Sequence, residues 1–322
     1  MVAAKAFPFP LFGIAFGLSG LAGTWTVAAD ALGFTQACAN ALWIIAASTW
    51  VISLVRYGLG ARTVRQLLAD VHHPVQGVFV ALIPASGLLL GARLSQYASI
   101  SGKTVVVIMA VLTAVLAAYF VHRLMLGGLE LDQIHPAYLL PTVAITFIGG
   151  QMLTTVGLHE LGFASFGVGV LLWLVVGAVI TVRLATRPAM PHPLVPTFAV
   201  YAAPPAVGGN AYFALTGHPD AFQHAWLGTF ILFLLVQLAL IPTIAKLPFA
   251  LTFWTMTFTT AAAGTYGIHW LVATDAPQRD LWTIVILAIV TLWIGWVAGR
   301  SILLVAAERA AHRPAGGGAA RS

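Results

Sequence analysis

Ten stretches of roughly twenty mostly apolar residues, with charges only near their ends and joined by short polar connections, constrain this chain more than any other feature. They run at about 11–30, 37–57, 75–94, 103–123, 136–157, 162–185, 194–215, 221–244, 248–271 and 281–304. A helix needs about 20 such residues to cross the hydrocarbon core of a bilayer. Strands of a membrane barrel are about 10 residues long and alternate in polarity, whereas these segments are longer and apolar all round. The chain therefore reads as an all-α integral membrane protein with ten transmembrane helices. Charge agrees with this. Only 7% of the 322 residues are Asp, Glu, Lys or Arg, against about 25% in soluble domains. That is too little charge to cover a water-facing surface, and it excludes a soluble enzyme, a nucleic-acid binder and a disordered protein. The net charge of +6 lies in loops and tails and forms no stripe, so no nucleic-acid partner is expected.

No connection is long enough for a soluble domain. Residues 1–305 read as one transmembrane domain, and 306–322 as a tail whose Gly-, Pro- and Ala-rich end is expected to be disordered. The single cysteine, Cys38, has no intrachain partner for a disulfide. Twelve of the 15 Lys and Arg residues, among them Lys5, Arg62, Arg313 and Arg321, fall on the side holding both termini; Arg93, Lys103 and Arg279 fall on the other. The positive-inside rule then makes that side, and both termini, cytoplasmic.

The odd-numbered segments begin alike. Pro10, Pro74, Pro136, Pro193 and Pro248 open them, at intervals of 64, 62, 57 and 55 residues. Each interval holds one out-and-back helix pair, so the chain reads as five copies of a helical hairpin inserted in the same sense. The first segment belongs to this repeat and is read as a span, not a leader. Parallel repeats imply an axis along the membrane normal, with one helix of each pair inside and one outside. Helix breakers concentrate in the odd segments: Gly13, Gly17 and Gly20; Pro84 in Ile83-Pro84-Ala85-Ser86; Pro141; Pro204 and Pro205. Backbone groups freed by breaks are tolerated at membrane depth inside protein or beside a wet cavity. The odd helices are therefore expected to form an inner ring around a central pore, and the even helices to face lipid.

No Asp, Glu, Lys or Arg lies at mid-depth in any segment. Proton- and sodium-coupled carriers usually place carboxylates or His there, and cation pores use acidic rings or carbonyl filters. What remains is a path lined by small and hydroxyl residues, including Ser86, Thr142 and Thr257. Their O–H groups, with the positive ends of half-helices that follow Pro84, Pro141 and Pro205, would favour anions. Threonines also bond back to their own helix, which is the alternative reading. In the ninth segment Phe249, Phe253 and Phe258 are large rings near a small-residue run, Ala261 to Gly264. Such a ring either plugs a path as an apolar constriction or packs in the core.

Four motifs now carry a resemblance: Phe9-Pro10 with Phe12-Gly13-Ile14; His73-Pro74 with Ile83-Pro84-Ala85-Ser86; Tyr138-Leu139-Leu140-Pro141-Thr142-Val143; and Phe253-Trp254-Thr255-Met256-Thr257-Phe258. In this order they resemble the tellurite-resistance/dicarboxylate transporter family, which takes in the slow anion channels of plant guard cells. The resemblance implies ten helices, a pore of odd helices with five-fold pseudo-symmetry, a homotrimer with one pore per protomer, and a ninth-helix Phe that occludes the pore. By motif position that residue is Phe258. Members often carry Pro next, where Thr259 stands here.

The expected function is an anion channel or channel-like permease gated by Phe258. Its pore-lining residues would be Gly13, Gly17, Gly20, Pro84, Ser86, Pro141, Thr142, Pro204, Pro205, Phe253 and Thr257. The alternative is a coupled carrier or exporter of C4-dicarboxylate, sulfite or tellurite, with His159 and His269 as proton carriers. A haem protein or membrane enzyme built on His122, His159, His224 or His269 would need these side chains at a shared depth, and none is evident. No catalytic residue, metal ligand or cofactor is expected. The expected partners are small inorganic or carboxylate anions and membrane lipid, in the inner membrane if the source is bacterial.

Overall fold

A computed structural model describes residues 8–60 and 63–311. Lys5, Arg62, Arg313 and Arg321, which count towards the charge asymmetry, lie outside the described residues, as do residues 312–322 of the expected tail. Twelve α-helices follow in order among the described residues: α1 (Phe12–Leu32), α2 (Ala37–Gly60), α3 (Val64–His72), α4 (Leu82–Ser95), α5 (Ser99–Leu126), α6 (Ile145–Thr155), α7 (His159–Thr186), α8 (Phe198–Ala202), α9 (Pro204–Thr216), α10 (Ala221–Ile244), α11 (Trp254–Ala273) and α12 (Arg279–Ala311). Residues 306–311 thus continue the last helix.

Among the described residues eight helical segments are long and apolar enough to cross a membrane, and the protein is an integral membrane protein. The seventh and ninth of the ten expected segments are not among the eight. In the seventh, Pro204 and Pro205 divide the run into α8 and α9, because proline lacks the N–H that an unbroken helix needs. In the ninth, Thr255, Thr257, Thr259, Thr260 and Thr265 dilute the hydropathy of α11.

The prolines act locally as their chemistry requires. Each odd segment opens with a 3-10 turn, over Phe9–Leu11, Gly77–Ala81, Pro136–Leu139, His192–Thr197 and Leu251–Phe253. The opening proline lies in that turn or three residues before it. Pro84 sits in the first turn of α4, where a missing N–H costs nothing. Pro141 falls in a π-turn, Leu140–Ala144, that precedes α6; such turns accommodate a skipped hydrogen bond. Ends are capped in the usual ways. Gly33 closes α1 in the left-handed conformation (φ 67°), and the Asp220 carboxylate accepts the Gln223 amide at 2.8 Å at the start of α10.

Packing separates two classes of helix. α1 touches α4, α4 touches α6, α6 touches α9, α9 touches α11, and α11 returns to α1, closing a five-membered cycle. Each longer helix packs most extensively on one member of it: α2 on α1, α5 on α4, α7 on α6, α10 on α9 and α12 on α11. Burial follows the same division. In the first, third and fifth segments 61%, 72% and 89% of the most apolar stretch is buried, against 17%, 28%, 28%, 6% and 28% in α2, α5, α7, α10 and α12. Exposed Leu, Ile and Val on the latter helices, such as Leu171 and Leu292, present hydrocarbon outward, as a lipid-facing surface requires.

Candidate functional site

The site forms where α1 and α11 meet. Glycines on α1 let α11 approach closely. A methyl group added at Gly13 would stand 3.5 Å from Trp254 Cβ, and one at Gly17 would overlap the Thr257 hydroxyl. At Gly20 it would stand 2.9 Å from Cδ2 of Phe258 and 3.0 Å from Ala261 Cβ. Gly20 is thus the seat of the Phe258 ring. The ring also stacks on Phe16, with centroids 3.7 Å apart and planes 17° from parallel. Both rings are buried, at 8% and 5% exposure. Such pairs add about 0.5–1.5 kcal/mol beyond their area.

Hydrogen bonds fix α11 around Phe258. The Thr24 hydroxyl lies 3.0 Å from the Ala261 carbonyl and 3.0 Å from the Thr265 hydroxyl. From α9, Asn210 donates its amide to the Ala262 carbonyl at 2.9 Å, and its Oδ1 accepts from His269 Nδ1 at 3.0 Å. Because Oδ1 is only an acceptor, His269 carries a proton on Nδ1.

A cavity of about 220 Å³ ends on Phe258. All five helices of the cycle line it: α1 through Ser19 and Gly20, α4 through Leu89 and Arg93, α6 through Gln151 and Met152, α9 through Val207 and Asn210, and α11 through Phe258, Ala262 and Thr265. Gln96 and Thr155, both exposed, mark its open end. A neighbouring cavity of about 490 Å³ shares Val27 and Gln151 with it and is lined by Asp30 and His269. Among the described residues no three His, Cys, Asp or Glu side chains come together as metal ligands.

Of the residues singled out from the sequence, Phe258 and Gly20 line the 220 Å³ cavity. Gly13 and Gly17 lie in the α1–α11 contact. Pro84, Pro141, Pro204 and Pro205 are buried in their turns. Phe253 faces away, towards Phe249 (5.2 Å) and Trp296 of α12 (6.2 Å). The hydroxyls of Ser86, Thr142 and Thr257 donate to the carbonyls of Leu82 (2.9 Å), Tyr138 (2.8 Å) and Trp254 (2.8 Å), so each spends its proton inside its own helix. Sequence reasoning missed Phe16, the His269 partner of Asn210, and Arg93 on the cavity wall. Phe16 had a signal, being one turn before Gly20 on a glycine-rich face; the other two had none.

At the other end of the fold, His135 is buried where the fifth segment begins, and its Nε2 bonds the Val75 carbonyl at 3.1 Å. Burial pulls its pKa down to about 4, against the Val75 bond and with help from the Arg183 cation. It is neutral at physiological pH.

The SLAC1 family, described as voltage-dependent anion channel, matches residues 6–302. A tellurite resistance protein TehA homolog of Haemophilus influenzae is 27% identical over 259 residues, which is 79% of this chain and 79% of that protein. The S-type anion channel SLAH3 of Arabidopsis thaliana is 27% identical over 152 residues, 47% of this chain and 24% of that protein.

Proposed function

The chain belongs to the voltage-dependent anion channel family, and from that membership we propose that it conducts small anions along the axis of its helix cycle, with Phe258 as the gate. The observation that carries this reading is that Phe258, stacked on buried Phe16, lines a cavity to which all five inner helices contribute. An anion that reaches Phe258 meets an apolar ring backed by a second one. Stripping its water costs several kcal/mol, so the pair closes the path until a ring moves. The protein transports and does not catalyse.

In this reading all ten segments cross the bilayer, including the broken seventh (192–216) and the hydroxyl-rich ninth (251–273). They form five hairpins around an axis along the membrane normal. The proline spacing, the cyclic contacts and the burial contrast support it. Charge asymmetry supports cytoplasmic termini, and the family resemblance supports a homotrimer. The name of the Haemophilus relative brings tellurite oxyanions into the substrate class beside chloride, nitrate, sulfite and dicarboxylates. Current–voltage curves in asymmetric chloride, comparing wild type with Phe258→Ala, test the proposal. A folded variant as silent as wild type would shift the reading to a coupled carrier.

A further inference from the structure

A second concavity lies on the flank of the bundle, outside the helix cycle. It is a groove of about 520 Å³ between α2, α4 and the start of α5. Its walls are apolar, with Ile44, Ala47, Trp50 and Val51 from α2, Leu90 from α4 and Val105 from α5. Gly87 and Gly91 form its α4 side and let α2 and α5 approach: a methyl at Gly87 would stand 2.6 Å from Met109 and 3.2 Å from Trp50, and one at Gly91 2.9 Å from Val105. The groove is continuous with the lipid-facing surface, since Ile44, Val51 and Leu94 on its edges are 66%, 52% and 41% exposed.

One end of the groove is polar. Arg93, near the last turn of α4, donates Nη2 to Asn40 Oδ1 and to the Tyr97 hydroxyl (3.1 Å), and Nη1 to Gln96. Its guanidinium lies 5.4 Å from the centre of the Tyr97 ring, and Tyr97 in turn donates to Asn40 at 2.9 Å. All these oxygens are neutral. Among the described residues no ion pair involves Arg93, and its Nε is buried without a hydrogen-bond partner. A cation at the edge of hydrocarbon with no countercharge is costly. An anion fixed beside a hydrocarbon chain would relieve that cost.

We propose that this groove is a phospholipid site, with one acyl chain between α2 and α4 and the phosphodiester on Arg93. The geometry is that of a lipid near a membrane face. From Gly87 to Arg93 the helix rises about 9 Å, placing the apolar trough below the guanidinium and Tyr97 at the level where aromatic residues gather. Arginine matches phosphate oxygens through its fork of donors. Arg93 also lines the axial cavity, so the bound headgroup sits at the mouth of that cavity. The inference rests on the membrane location alone and does not need the pore to conduct.

Native mass spectrometry of the full chain, released from nanodiscs containing phosphatidylglycerol, tests it. Wild type is expected to retain one phospholipid per protomer. Arg93→Gln should lower retention at least fivefold, Arg93→Lys should keep most of it, and Ala47→Trp should exclude the chain while leaving the cation. Circular dichroism and melting temperature identify any variant that fails to fold, and Arg93→Lys then carries the comparison with wild type. Equal retention in wild type and both disruptive variants would overturn the proposal. So would displacement of the lipid by chloride alone, which would assign Arg93 to a soluble anion. Loss of an oligomer in Ala47→Trp with unchanged lipid would also overturn it, making the groove a contact with a second copy of this chain.

Discussion

Truncating Phe258 to Ala removes one ring of a stacked pair, and the other ring determines how far the path opens. The Phe16 ring is stacked 3.7 Å from the Phe258 ring, centroid to centroid, and borders the vacated space. The stack contributes about 0.5–1.5 kcal/mol, and a dry cavity left by Phe→Ala costs about 3–5 kcal/mol. The new space adjoins the 220 Å³ cavity that already ends on Phe258, so water reaches it and the stability loss should fall below that range. Conductance responds to the barrier, at about 1.4 kcal/mol per tenfold change. Relief of about 2 kcal/mol of dehydration raises current roughly 30-fold. Phe258→Ala should therefore show anion current well over tenfold above wild type. Phe16→Ala alone should show less, because Gly20 still seats the Phe258 ring, and the double variant should exceed either. The assay is planar-bilayer recording of purified protein in asymmetric chloride, with potassium permeability from the reversal potential. Stable variants, single and double, with wild-type currents would refute the constriction and the reasoning from the stack.

Gly20→Ala should push the Phe258 ring, overpack the α1–α11 contact by about 1–3 kcal/mol, lower the melting temperature and alter closed-state leak; an unchanged melting temperature counts against the seat. Cysteine at Asn210, on the cavity wall, should react with small water-soluble reagents in the closed protein, whereas cysteine at buried Ser86 or Thr142 should react only after Phe258→Ala. Equal labelling of all three in wild type would remove the barrier from Phe258. His135 has a folded pKa of about 4 against 6.5 unfolded, so between those values the unfolded state binds the proton and stability falls as pH falls. The loss should approach about 3 kcal/mol at pH 4. A His135→Gln variant, which keeps a donor for the Val75 carbonyl, should show a flatter melting curve across that window; the same slope as wild type would mean other groups carry the effect.

Much of this fold is written in residue spacing. The apolar runs specify helices, and the five opening prolines separate the segments that pack in the cycle from those that face outward. Local chemistry says less about where a small residue points. A glycine makes room, and Gly17 makes it for Thr257 of a neighbouring helix while Gly20 makes it for a ring beside a cavity; the sequence shows the same letter in both places. Hydroxyls are equally silent. Ser86 and Thr142 have donors that would suit an anion, yet a carbonyl one turn back is always within reach. Phe258 stood out because family position singled it out among three phenylalanines. Its partner Phe16 lies 242 residues away in sequence, beyond anything local patterning reports.

That separation has a consequence for how the protein is made. The contact between α1 and α11 joins two helices far apart in the sequence, and Thr24 finds Ala261 across 237 residues. While the ribosome is still at work, the small-residue face of α1 has no permanent neighbour. Loop-closure entropy grows only slowly with length, so the delay is set by translation and insertion and not by thermodynamics. A nascent chain stopped before residue 254 would leave an open arc of four inner helices, with Gly17, Gly20 and Thr24 facing lipid or an insertion chaperone. The hairpin that brings α11 is therefore the clasp of the assembly, and the helix that carries the proposed gate is also the one that completes the wall.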